Sequence, residues 1–258
     1  MFIKNILLSV YAYLKSFKYL FSLWKYVLLL IFLIIVFSFP VYITDSFFKL
    51  LMPYFPYFKL EEYERDFIFM MSSLSGFVLL LILSPVFSMV SEEIFHKLSG
   101  TVYRFSFLQL IKDIIRGIKI TIRNLIFEYL FLMGLALLVF ILPDYKIITV
   151  FAWVLNMLVT SYFFGFTLLD YAMENQRMSY KQSVEFVRNH PGLAIGLGLI
   201  YFLMIHLNDL PQIRQMFGEY ELYWTGFGEA LVAFLGVIAG SIVLYKIIQN
   251  KEKEEADF

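Results

Sequence analysis

The chain has 258 residues, of which 60% are hydrophobic and 16% charged. Soluble domains carry about 25% charged residues, so an ordinary water-soluble globule is excluded. Net charge is zero, which points to no nucleic acid or other polyanionic partner, and the absence of cysteine rules out disulfides, thiol nucleophiles and Cys-ligated metals.

Residues 2–24 come first. Ile3, Ile6, Leu7, Val10, Leu14, Phe17 and Phe21 recur mostly at spacings of three and four, which is one face of a helix. Lys4, Lys15 and Lys18 flank that face, predicting an amphipathic N-terminal helix (1–25) lying in the headgroup plane. The apolar run that follows is long and lacks a small-residue cleavage site, so it is expected to be a retained anchor and not a signal peptide.

Six charge-bounded apolar stretches then follow. They hold 19 residues after Lys25, 25 after Asp66, 15 after Glu128, 23 after Lys146, 20 after Arg188 and 16 after Glu229. A helix needs about 20 apolar residues to cross a bilayer core. Four stretches meet that length and two fall short. The runs are too continuous for the alternation of a membrane β-barrel. The fold class expected is therefore an all-α integral membrane protein, in one domain over 1–258. It is a bundle of four long membrane helices with shorter segments that enter the bilayer partly, plus amphipathic surface helices.

Within the second stretch, Ser84-Pro85 predicts a kink, because proline frees a carbonyl one turn earlier. The segment 92–128 is expected on the cytoplasmic side. In it Lys112, Arg116, Lys119 and Arg123 step by four, three and four, making one basic ridge opposite Leu110, Ile111, Ile114, Ile115, Ile118, Ile122 and Leu125. The ridge rests on lipid phosphates or lines a vestibule that concentrates a small anion; spacing leaves both open.

The 15-residue stretch Tyr129–Pro143 and the following Ile147–Leu169 are joined by Pro143-Asp144-Tyr145-Lys146. The expectation is a helical hairpin, either re-entrant or an ordinary tilted pair. Gly192 and Gly196, and likewise Gly236 and Gly240, stand four apart, predicting that the last two helices pack on each other through them. The tail 246–258 is charged. Loop arithmetic places sixteen Lys and Arg on one side and five on the other, so both termini are expected in the cytoplasm.

Nothing in the motifs supports catalysis. The three histidines are scattered, with no metal-site spacing, and no phosphate-binding loop or nucleophile arrangement is present. No enzyme activity, cofactor or metal is expected, and no catalytic residue is assigned.

Three passages carry a resemblance. Pro85, Glu92 and Leu98-Ser99-Gly100 fall at related offsets. Leu169-Asp170-Tyr171-Ala172-Met173-Glu174-Asn175-Gln176-Arg177 is the clearest, continued by Arg188 and Gly192 through Gly198; Leu207-Asn208 with Pro211 is a weak echo. Together these resemble the CysZ family of bacterial sulfate permeases and its eukaryotic relative, the etoposide-induced protein. Phe87 stands where the family pattern has asparagine, and Trp24-Lys25 where it has paired arginines. The resemblance implies a helical bundle that assembles as a homo-oligomer in the bacterial inner membrane. It also implies passage of a small inorganic oxyanion such as sulfate, with lipids as the other partners. A scaffold or lipid-interacting role without transport is the alternative. The resemblance further implies insertion in both orientations, against the single one that the charges favour. Lys18, Lys25, Arg116, Lys119 and Arg123 are the candidate substrate-binding residues. Pro85, Glu92, Gly100, Asp170, Asn175, Arg177, Gly192, Gly196, Gly236 and Gly240 are the structural candidates; Glu92, Glu93 and Asp170 read first as exposed or paired charges at helix ends, and second as a network joining Glu92 to Arg177 or Arg188.

Overall fold

The computed structural model describes residues 2–51, 83–100, 107–141, 146–208 and 221–256. Their regular structure is helical. In chain order come α1 (Phe2–Leu20), a 3₁₀ turn (Phe21–Leu23), α2 (Trp24–Leu51), α3 (83–99), α4 (Phe107–Ile141), α5 (Lys146–Asn175), α6 (Tyr180–Asn189), α7 (Pro191–Asn208) and α8 (Glu221–Ala256). Residues 52–66, most of the acidic loop, lie outside the described residues. So do most of the hairpin turn, 142–145, and Pro211. Four helical segments are long and apolar enough to cross a membrane: Phe2–Val36, Ile115–Ile141, Val150–Asn175 and Ala230–Asn250. The chain is a helical membrane protein.

The two stretches expected to be short are each part of a long helix. Tyr129–Ile141 is the second half of α4, whose 35 residues include the basic ridge. The stretch 230–245 lies within α8, a helix of 36 residues. Each rises more than 50 Å at about 1.5 Å per residue. A single charge does not end a helix, because Glu128 and Lys246 are good helix formers. Charge-bounded runs therefore under-measure these helices.

α8 forms the centre. Phe234, Val237, Ile238, Ala239, Val243 and Leu244 have no exposed surface, so burial runs all the way round the helix. It contacts α1, α2, α5 and α7. The tightest crossing joins α5 to α7, which run antiparallel. A Cβ added at Gly165 would collide with the Ala194 carbonyl, and one at Gly198 with the Ser161 carbonyl. Glycine at these two positions lets the backbones touch.

The packing expected for the other glycines is corrected. Gly192 and Gly196 do not meet Gly236 and Gly240; they face α1, against Phe2, Asn5, Ile6 and Ser9. Gly236 faces Tyr13 of α1 and Leu168 of α5, and Gly240 lies over the Leu168 carbonyl. The spacing marks close approach correctly, but a four-residue repeat on one helix does not identify its neighbour.

α1 is amphipathic, and its opposite face is docked in the bundle against α7 and α8. The face that packs is Ser9, Ala12, Tyr13 and Ser16, all buried, and Ser9 Oγ donates to the Leu193 carbonyl. The apolar stripe of Ile3, Leu7, Leu14, Phe17 and Phe21 points outward. In a membrane protein an outward apolar stripe and an inward small-residue face are physically consistent, because lipid tails are as apolar as leucine.

Candidate functional site

Polar groups line the contact between α4 and α5. At its proximal end, Arg116 Nη2 donates to Asp170 Oδ1 at 2.6 Å and to Ser183 Oγ of α6 at 2.6 Å. Asp170 and Ser183 are buried. One guanidinium thus ties α4, α5 and α6 together, and its charge is matched by a carboxylate.

Two turns along α4 the balance changes. The Arg123 guanidinium lies 5.3 Å from the centre of the Phe127 ring and 5.6 Å from that of Phe166. Its Nη1 donates to Asn124 Oδ1 at 3.1 Å. Aromatic faces favour a cation without neutralising it. No carboxylate pairs with Arg123 among the described residues. Asn124 is 3% exposed, and its Nδ2 has no hydrogen-bond partner among them. Tyr162 of α5 meets edge-on the same Phe166 ring over which Arg123 lies, with ring centres 6.5 Å apart. Further along, Glu128 lies close to Thr160, whose Oγ1 donates to Asn156 Oδ1 at 3.3 Å. This seam of Arg116–Asp170, Arg123–Asn124 and Glu128–Thr160–Asn156 runs inside two membrane-span candidates.

The basic ridge therefore divides. Lys112 and Lys119 are exposed, while Arg116 and Arg123, seven residues apart, are half-buried toward α5. Lys18 and Lys25 are exposed and flank the 3₁₀ turn, far from the seam. Ser22 of that turn accepts from Lys97 Nζ at 3.0 Å, whereas Ser84 approaches Gly117 and bonds Tyr171 at the seam's end. Thirteen helical residues separate Ser84 from Lys97, about 20 Å. The structure brings Arg116 and Arg123 to the α4–α5 contact and leaves Lys18 and Lys25 at the other end of α3.

The passage from Leu169 to Tyr180 is a joint. Tyr171 meets Phe87 edge-on at 5.4 Å and hydrogen-bonds Ser84, so the hydroxyl beside Pro85 serves α5. Asn175 Nδ2 reaches the Ser88 carbonyl at 3.4 Å and the Tyr171 carbonyl at 3.3 Å. α5 then ends at Arg177, whose φ of 54° is left-handed. The Arg177 amide donates to the Glu174 carbonyl and the Met178 amide to the Met173 carbonyl, a paired C-terminal cap. Ser179 opens α6 with a capping box to Gln182. Gly100 closes α3 at φ 72°, its amide donating to the His96 carbonyl.

Glu92 does not join Arg177 or Arg188 among the described residues. It lies near Glu93 and Tyr26, while Glu93 pairs with Lys97 at 3.3 Å. Burial raises the Glu92 carboxyl above its ordinary range, and the Glu93 charge adds to the shift. The helices bring α3 together with the 3₁₀ turn, a juxtaposition that loop counting does not reveal.

Asn124, Ser183 and Tyr162 are site residues that the sequence reading misses. The signal for Asn124 was present, since it is an amide next to Arg123 in an otherwise apolar half-turn. Ser183 and Tyr162 carry no local signal.

No curated protein matches the chain. Residues 2–207 match the family described as Sulfate transporter CysZ/Etoposide-induced protein 2.4. The match takes in the seam and the joint and stops at the end of α7, so α8 lies beyond it. Covering well over half of the sequence, it shows that the chain belongs to the Sulfate transporter CysZ/Etoposide-induced protein 2.4 family.

Proposed function

We propose that this chain is a permease passing a small oxyanion, sulfate first among the candidates, across the bacterial cytoplasmic membrane. The observation that carries the reading is the cationic, donor-rich seam between α4 and α5, set within helices apolar enough to cross a membrane. Charged groups inside membrane segments are costly and tend to mark ion paths. Membership of a family described as a sulfate transporter supports the same substrate class. Lys18 and Lys25, about 20 Å from the seam, stand beyond the roughly 8 Å reach of a charge at physiological salt, so the reading places the anion at the seam without them.

The reading includes an orientation with both termini cytoplasmic, following the loop charges. Reporter fusions after Lys246 and within 61–66 then report opposite sides. The deciding measurement is uptake of radiolabelled sulfate by vesicles containing the purified protein. Saturable, ATP-independent uptake that selenate inhibits is expected. Vesicles holding folded protein that take up neither sulfate nor its analogues would overturn the reading in favour of a membrane scaffold.

A further inference from the structure

Lys18 and Lys25 stand too far from the seam to serve it, and their surroundings offer them another partner. The candidate span Phe2–Val36 runs 35 residues through α1, the 3₁₀ turn and the first part of α2. That path is roughly 50 Å, well beyond a hydrocarbon core of about 30 Å. Part of it must leave the hydrocarbon, and the lysines mark where. Phe17, Lys18, Phe21, Trp24, Lys25 and Leu28 recur as one outward stripe across the turn, all of them exposed. Phe21, between the two lysines, is 86% exposed. No ion pair joins either lysine to a carboxylate among the described residues.

The turn holds this stripe outward from two sides. Leu23 is buried in the core. Ser22 is fastened to α3, its Oγ accepting from Lys97 Nζ at 3.0 Å, and Lys97 is itself paired with Glu93 at 3.3 Å. The backbone is anchored on both flanks, which fixes the direction in which Phe21 and Trp24 point.

We infer that Lys18, Phe21, Trp24 and Lys25 form a seat for the phosphate of an anionic phospholipid at the edge of the bilayer. An outward apolar stripe asks for hydrocarbon, and two unpaired ammoniums on the same stripe ask for negative charge. Lipid phosphates supply that charge where hydrocarbon meets water. An ammonium carries donors and no acceptor, which suits phosphate oxygens. Lysine stems lie along apolar surface while their heads reach outward, and tryptophan settles at headgroup level. Lys18 and Lys25 are seven residues apart, about 10 Å of helix, so their flexible stems can close on one headgroup over Phe21. Phosphatidylglycerol, with net negative charge, is favoured over phosphatidylcholine, whose choline repels the lysines. A free oxyanion shares the phosphate chemistry but has no acyl chain to lie against Phe17, Phe21 and Leu28. The seat anchors the junction of α1 and α2 at the membrane surface and stands apart from the seam.

The test uses the full chain in detergent, with phosphatidylglycerol and phosphatidylcholine as probes and native mass spectrometry counting the lipid retained. Wild-type protein should retain phosphatidylglycerol in preference. One lysine beside an anionic headgroup is worth roughly fivefold in affinity, so Lys18→Gln and Lys25→Gln should each weaken phosphatidylglycerol by about that factor. The double variant should lose about thirtyfold, with phosphatidylcholine binding unchanged. Phe21→Ala should weaken both lipids alike. Millimolar inorganic phosphate or sulfate should not displace the lipid. Should the double variant fail to fold, the single variants at these exposed positions decide. Equal retention of phosphatidylglycerol by wild-type protein and the lysine variants would overturn the seat. Displacement by inorganic phosphate or sulfate would overturn the lipid as occupant in favour of a free oxyanion. Neither arm measures uptake, so the permease reading stands or falls separately.

Discussion

The middle of α8 and the distal half of α4 are two apolar runs of nearly equal length and opposite fate. Residues 230–245 are buried inside the bundle, and Phe234 has no exposed surface. Residues 129–141 stand away from it, and Phe140 is 80% exposed. Hydropathy does not separate them, because both are rich enough in apolar residues to cross a membrane. Side-chain size does. The α8 run carries Ala230, Ala233, Gly236, Ala239, Gly240 and Ser241, while the α4 run is mainly Leu, Phe, Met and Tyr with one glycine. Apolarity asks only for a non-aqueous neighbour, whereas small residues at helical spacing ask for a protein one. The outward face of α4 must still meet hydrocarbon or another protein surface.

Glycine substitutions test this contrast with the largest expected effect. An added side chain at Gly165 or Gly198 meets the partner helix's backbone, which cannot rotate aside. Gly165→Leu and Gly198→Leu are expected to abolish the folded protein, beyond the roughly 1–3 kcal/mol of ordinary overpacking. Gly134 in α4 has open space around it, so Gly134→Leu should leave detergent melting unchanged. Equal losses at Gly134 and Gly198 would mean that the exposed half of α4 is packed in the working protein.

Truncation asks the same question more gently. Phe234→Ala empties a buried site and should cost about 3–5 kcal/mol. Phe140→Ala should change stability by less than about 0.5 kcal/mol. Comparing the two unfolding midpoints in one detergent is sufficient. A large loss from Phe140→Ala would point to a protein neighbour on α4.

Between these extremes lies the proximal end of α4, where the helix enters the bundle through Arg116 and Asp170. Asp170→Asn leaves a half-buried guanidinium without its anion and should cost about 3 kcal/mol, the lower end for a broken buried pair. Arg116→Met combined with Asp170→Leu should cost less than either change alone, since both desolvation penalties disappear together. Additive losses would show that the pair contributes little coupling.

These positions also show what could be read from the chain alone. Helical class, the membrane spans and the ridge containing Arg116 and Arg123 follow from local periodicity. The merging of 107–128 with 129–141 was hidden because Glu128 looked like a boundary, although a helix passes through one charge at little cost. The inward face of α1 was hidden because the periodic signal belongs to the apolar stripe, while the face that packs on the bundle holds the small residues Ser9, Ala12 and Ser16. The Arg116–Asp170 bond joins residues 54 apart, so no periodicity announces it. Asn124 and Tyr162 matter through the helix opposite, which a one-dimensional pattern does not contain.

The smallest effect belongs to the cap that ends α5 beside this joint. Arg177 holds a left-handed φ of 54°, a conformation that places Cβ near a carbonyl oxygen. The side chain is exposed, and no ion pair joins it to a carboxylate among the described residues. The hydrogen bonds of the cap come from the Arg177 and Met178 amides, which any residue supplies. Arg177→Gly should therefore keep the cap and relieve the strain, raising stability by about 1 kcal/mol. Glycine's greater freedom in the unfolded chain offsets part of that gain. Arg177→Val, β-branched at the same φ, should move melting the other way. If Arg177→Gly instead lowers stability while Asp170 and Arg116 are intact, the Arg177 side chain has a structural contact of its own. The joint would then depend on a second guanidinium as well as on Arg116.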